Sequence, residues 1–349
     1  MKAAALGLVV VVALVVPASA HAQSPELSLR EFASGQIKKG VRSIGFGGDG
    51  ATWGNYSLVY HDASTVILDG GISAYENGNL FGFTAVGATT PSLWRGLALY
   101  AVGLSQTAQG IHTTLSAPGL GPKPAPTVGD GGNSALFLKA AMPLPHGFAV
   151  GVMLAYEVSQ FTAVGAADTV RYQTRWLPSG GFGVSWQPSE RAIVGVRVIL
   201  NHDEERRLDR FGVASGLARS YEFRAGASAS PWQGALVDAG ATLLDRANAI
   251  AGSERVGGGA NLGFEQAFWK RALVVRGGVD ECQLGFGDCT VTAGLSFKRR
   301  PVNLDLAYLY DLGKERIGTL FGEHSHSVLA TLTLDYGALL RARSTTHRL

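Results

Sequence analysis

The ten residues Val302-Asn303-Leu304-Asp305-Leu306-Ala307-Tyr308-Leu309-Tyr310-Asp311 decide the fold. Every second side chain is Val, Leu, Leu, Tyr or Tyr, and the face between them carries Asn303, Asp305 and Asp311. Successive side chains of a strand point to opposite faces, so this segment has one greasy and one polar face. A tilted strand crosses a bilayer in about 9–11 residues. In a transmembrane barrel the greasy face meets lipid and the other lines the lumen.

The same alternation recurs elsewhere. Ala192, Val194, Val196, Val198 and Leu200 oppose Arg197, Asn201 and Asp203. Phe148, Val150, Val152, Leu154, Tyr156 and Val158 oppose Gly151, Glu157 and Ser159, and Tyr221, Phe223 and Ala225 oppose Glu222, Arg224 and Ser228. The template predicts strands at 57–70, 79–88, 95–106, 133–142, 147–159, 168–187, 192–203, 219–230, 234–244, 254–266, 272–280, 289–298, 302–311 and 325–336. The expected fold is therefore all-β, a transmembrane antiparallel β-barrel of about fourteen strands, with 12–16 compatible with the pattern. Strand 168–187 contains Leu177-Pro178-Ser179-Gly180-Gly181. Proline removes a ladder donor, so a kink or two short strands is expected there.

Composition agrees. Of the 349 residues 46% are hydrophobic and only 16% charged, against about 25% charged in soluble domains. Yet no internal run reaches the ~18 apolar residues of a membrane helix. The one continuous apolar run, Ala3 to Val16, follows Lys2 and precedes Ala18-Ser19-Ala20-His21-Ala22. That arrangement reads as a cleavable secretory signal over 1–22. A formal net charge of +3 leaves no footprint for nucleic acid.

Short links are expected at 143–146, 188–191, 231–233, 267–271 and 299–301, alternating with longer ones at 107–132, 160–167, 204–218, 245–253, 281–288 and 312–324. Outer-membrane barrels pair short periplasmic turns with longer external loops, so both termini are expected in the periplasm of a Gram-negative-type bacterium. Trp94, Trp186, Trp232, Phe268, Trp269, Phe297 and Tyr336 fall at strand ends, as in an interfacial girdle. Gly337 to Leu349 forms a tail beyond the barrel of residues 57–336, and 116–130 a Pro- and Gly-rich loop.

Residues 23–56 are less regular. They include Arg42-Ser43, Gly45 and Gly47-Gly48, and Asp62-Ala63-Ser64 follows. In these motifs the sequence resembles the long-chain fatty-acid and hydrocarbon transporter family of outer-membrane barrels. The family's Asn-Pro-Ala-like turn is replaced here by Leu68-Asp69-Gly70-Gly71. The resemblance implies fourteen strands, a 23–56 segment folded inside the barrel as a hatch, and a lateral opening for apolar ligand. From the residues alone, the glycines read as a turn or bulge.

Lumen-lining candidates are Lys139, Glu157, Arg197, Glu222, Arg224, Asp238, Arg255, Arg276 and Asp305, joined by Asp203, Glu265, Asp280, Lys298 and Asp311. Both signs alternate around the wall. Unpaired ions in a dry interior cost several kcal/mol each, so the lumen is either watered or cross-linked by ion pairs. The most charged stretch, His202 to Arg210, is expected in a solvated external loop, where it could hold divalent cations or touch lipopolysaccharide. Cys282 and Cys289 flank six residues of another external loop, and an oxidising compartment favours a disulfide between them. His324 and His326 share a strand face, but no third ligand accompanies them. No spacing singles out a catalytic triad, so neither an enzyme nor a cofactor is expected.

Two functions fit: a passive transporter or channel for small hydrophobic molecules, and a non-transporting structural or secretion- and attachment-accessory barrel. An open porin comes third. The partners implied are outer-membrane lipid and lipopolysaccharide, a small hydrophobic ligand, and the barrel-assembly machinery.

Overall fold

The computed structural model describes residues 65–75, 80–89, 97–115, 125–165, 169–176, 179–209, 212–248, 253–282, 289–311 and 325–336. The expected signal, the 23–56 segment, Trp94, His324 and the 337–349 tail lie outside them.

Fifteen strands follow in chain order: β1 Thr65–Tyr75, β2 Leu80–Thr89, β3 Ala98–Leu115, β4 Ala125–Pro143, β5 Phe148–Gly165, β6 Thr169–Trp176, β7 Ser179–Ser189, β8 Ala192–Asp209, β9 Gly212–Ala229, β10 Ala235–Asn248, β11 Ser253–Phe268, β12 Leu273–Cys282, β13 Thr290–Arg299, β14 Val302–Asp311 and β15 Ser325–Asp335. All pairings are antiparallel, and neighbours in sequence are neighbours in space. β1 pairs with β15 from Thr65↔Asp335 to Tyr75↔Ser325, so the sheet closes on itself. β6 and β7 lie end to end in one place, each bonded to β5 on one side and β8 on the other. The result is a closed fourteen-strand barrel, which removes every free edge.

β6 ends at Trp176 and β7 begins at Ser179; Leu177 and Pro178, the place expected for a kink or two short strands, lie outside the described residues. Between Asp203↔Trp176 and Leu200↔Gly180, β8 spends two residues and its partner three. One extra residue flips the pleat. Even-numbered positions of β6 align with the inner face of β8, and even-numbered positions of β7 with its outer face.

Burial separates the faces. Leu68, Val86, Leu154, Leu262 and Leu306 are exposed on the outer face, while Arg197, Asp238, Arg276 and Asp305 are buried on the inner one. At the end of the barrel that carries the tight turns, Phe148 stacks on Trp186 with ring centroids 5.9 Å apart. Trp232 lies 6.2 Å from Phe264 and donates its indole N–H to Gln266 Oε1 at 2.9 Å. Phe268, Trp269 and Phe297 continue this exposed girdle, and Tyr336 donates its hydroxyl to the Thr89 carbonyl at 2.9 Å. At the opposite level the outer face carries Tyr156, Tyr221, Tyr308 and Tyr310. Eight residue steps separate Phe148 from Tyr156, about 26 Å of strand, which a tilt of about 35–45° reduces to about 20 Å of height, most of a barrel's ~25 Å apolar band.

The wall has two heights. β12, β13, β14, β15, β1 and β2 have 10 or 11 residues each, enough to cross a membrane and no more. β3, β4, β5, β8 and β9 have 18 or 19 and project well beyond the upper tyrosines. This revises the loops. Much of 107–132, 160–167, 204–218 and 245–253 is strand, and the charged stretch His202 to Asp209 belongs to β8, paired with β9 down to Asp209↔Gly212. Its polar residues populate both faces because the ladder there has left the apolar band. The first strand also differs: β1 runs on to Tyr75, placing Gly70 and Gly71 mid-strand, and the first part of the expected 57–70 lies outside the described residues.

Candidate functional site

The inner surface combines an ionic belt and an apolar patch. The belt begins where Arg197 of β8 and Arg224 of β9 share one acceptor. Arg197 Nη2 donates to Glu222 Oε1 at 3.3 Å and Arg224 Nε at 2.5 Å. Arg197 and Arg224 stand directly opposite in register, so the carboxylate offsets two cations that would otherwise repel. On β10, Asp238 accepts from Ser228 of β9, and from Asn261 of β11 at 3.2 Å.

Farther round, Arg276 of β12 donates through Nε to Glu265 of β11 at 2.8 Å and through Nη1 to Asp305 of β14 at 3.1 Å. Ser296 of β13 also donates to Asp305. Asp305, Thr331 and Asp69 then occupy consecutive positions across β14, β15 and β1. Alternation along each strand puts these polar groups inside. Asp238, Glu265, Arg276, Ser296, Asp305, Thr331 and Asp69 stand three or four residues from the turn end of their strands, and this shared height joins them into a belt. The buried guanidinium is shared by two carboxylates through Nε and Nη1, and breaking such a pair costs about 3–5 kcal/mol.

The inner face of β2 to β5 and β8 is different. Ala85, Leu104, Ala135, Phe137, Met153, Ala155 and Ile199 form one buried apolar cluster with Val102 packed against it. A smaller cluster of Ala307, Leu309 and Leu329 stands on β14 and β15, one and two inner positions above the belt. On β4, Gly129 and Gly131 leave room for the Phe161 ring of β5. A Cβ on Gly131 would lie 2.7 Å from that ring, and one on Gly129 closer still.

Of the candidates named from sequence, Arg197, Glu222, Arg224, Asp238, Arg276 and Asp305 fall together in this belt, as does Glu265. Lys139 lies apart on β4, its Nζ 5.2 Å from the Tyr100 ring centroid. Glu157 is half-buried on the inner face of β5. Arg255 stands on β11 opposite Arg246; its side chain, like those of Asp203 and Asp311, is outside the described residues. Lys298 is half-buried and Asp280 buried. Cys282 ends β12 and Cys289 stands one residue before β13. His326 faces outward, its ring 4.9 Å from that of Tyr310 and its Nδ1 2.6 Å from the Tyr308 hydroxyl. Among the described residues no three of His, Cys, Asp and Glu gather as a metal set.

Sequence reasoning missed the uncharged members of the belt, Ser228, Asn261, Ser296 and Thr331, and the acidic Asp69. It also missed the inner apolar patch, although Leu136-Phe137-Leu138 carried the signal. A run without alternation belongs to a strand apolar on both faces.

The barrel matches solved structures closely in shape and remotely in sequence. A FadL homologue from Pseudomonas aeruginosa superposes with a TM-score of 0.58 at 12% identity, over 92% of this chain and 100% of that one. The fold is that of FadL-type barrels. The Pseudomonas putida toluene transporter TodX matches with a TM-score of 0.53 at 8% identity, covering 83% of this chain and 96% of its own. The monoaromatic hydrocarbon channel CymD gives 0.52 at 12%, over 87% and 95%. No family profile matches the chain, and no curated protein matches it in sequence.

Proposed function

We propose that this chain is an outer-membrane channel through which small apolar molecules pass passively. The observation that carries the reading is the inner apolar cluster of β2 to β5 and β8, a surface that a water-filled porin has no use for. The similar barrels, a toluene transporter and a monoaromatic hydrocarbon channel, support it. In this reading residues 1–22 are removed on export, 23–56 occupy the lumen as a hatch, the turn end faces the periplasm, and lipopolysaccharide surrounds the tall strands.

Conductance in planar bilayers tests it. The full chain should give little ionic current, and a chain lacking 23–56 a larger one. A large stable conductance of the full chain would overturn the proposal. The ionic belt favours a second reading, a braced barrel that transports nothing; proteoliposomes that take up octane no faster than protein-free ones would support it. We further propose that Cys282 and Cys289 form a disulfide across the 283–288 link. Non-reducing mass spectrometry should find no free thiol, and two free thiols would refute the bond.

A further inference from the structure

Four polar atoms on the inner face of the low wall are buried and meet no hydrogen-bond partner: Arg276 Nη2, Thr292 Oγ1, Thr331 Oγ1 and Asp69 Oδ1. Thr292 is 3% exposed and Thr331 7%, and the Arg276 side chain is fully buried. A buried polar group left unpaired loses its hydration without return, so four on one wall call for an explanation. Three of them stand at one level of the fold, and Thr292 stands two inner positions higher. Arg276 reaches Asp305, Asp305 is opposite Thr331, and Thr331 is opposite Asp69, whose carboxyl it adjoins. Thr292 stands opposite Leu309.

The same wall continues upward into the apolar cluster of Ala307, Leu309 and Leu329. Resting on the transport reading above, we propose that this wall holds an apolar molecule by an uncharged hydroxyl, that of an alcohol or phenol. Its body lies on Leu309 and Leu329, and its oxygen bonds at Thr331, Asp69 and Arg276. Three features select that class. The unmet atoms are one cationic donor, one carboxylate acceptor and two hydroxyls, and a hydroxyl both donates and accepts. Asp69, Glu265, Asp280 and Asp305 outnumber Arg276 and Lys298, so a carboxylate ligand meets an excess of like charge. A pure hydrocarbon satisfies none of the four atoms.

The test uses 1-octanol, octane and octanoate, titrated by calorimetry into the full chain in detergent. Octanol should bind at least tenfold tighter than octanoate. Thr331→Val keeps the shape and removes the hydroxyl, and it should lower the octanol-to-octane affinity ratio roughly five- to tenfold, the size of one net hydrogen bond. Asp69→Leu, which removes another of the bonding atoms, provides a second variant should the first fail to form a heat-modifiable barrel. An octanol-to-octane ratio unchanged in the folded variant would overturn the proposal, leaving water as the partner of these atoms and the transport reading intact. Tighter octanoate binding would overturn it as well. Binding of none of the three would remove the transport reading along with it.

Discussion

The low wall and the tall wall of this barrel are built from strands of the same chain under different solvent conditions. On the low wall, the described residues of β12 to β15, β1 and β2 lie within the apolar band, so their outer residues face hydrocarbon and their inner ones the lumen. Its polar groups are gathered inside, and the Glu265–Arg276–Asp305 set is the ion-paired part of them. The tall wall obeys the same rule only up to Tyr156, His202 and Tyr221. Above that level both faces leave the apolar band. There the outer face of β8 carries Glu204 and Arg206, paired at 3.0 Å, beside Leu217 of β9, which is 61% exposed. A residue's cost of substitution therefore depends on its height more than on its chemistry.

The sharpest way to break this comparison is to remove the bracing cation of the low wall. Arg276→Met removes the cation shared by two buried carboxylates and should destabilise the barrel by about 3–5 kcal/mol, read as the urea midpoint for loss of the heat-modifiable folded band. Next comes a matched pair. Leu306→Arg, at mid-height on the lipid face of β14, should cost roughly 2–4 kcal/mol. Leu217→Arg, equally outward but above the band, should cost close to nothing, and equal losses would refute the two-height description.

Inside the tall wall, Gly129→Val drives a side chain into the Phe161 ring and should cost about 1–3 kcal/mol. Paired with Phe161→Ala it should add little to the second change alone, since the three nearest atoms to the new Cβ all belong to that ring. The smallest effect is expected from Arg206→Gln. Its ion pair with Glu204 lies open to solvent, where such pairs contribute under ~1 kcal/mol.

The sequence was most legible where the two faces differ in solvent. β14 runs over Val302–Asp311, the same ten residues the alternation picks out, because lipid on one side and ionic partners on the other impose period two. Legibility failed above the membrane. His202 to Asp209 reads as a loop since nothing there alternates, yet the ladder with β9 continues to its end. Backbone pairing needs no apolar face, and so leaves no mark in composition. The inner patch was hidden for the opposite reason. Phe137 and Met153 sit among outward Leu136, Leu138, Val152 and Leu154, and an apolar residue between apolar residues does not say which side it faces. At the belt, charged members could be named from parity, but Ser228, Asn261, Ser296 and Thr331 are ordinary strand residues until a carboxylate is placed beside them.

The junction of β6 and β7 acts as a change of reading frame written into the pleat. Upstream of it even numbers look inward, with Val170 fully buried; downstream even numbers look outward, with Phe182 and Trp186 toward lipid. Excising one residue there would restore a single frame through the whole strand, and one of its halves would have to turn inside out. Two stretches of opposite phase thus share one stave of the barrel, each keeping its own inside.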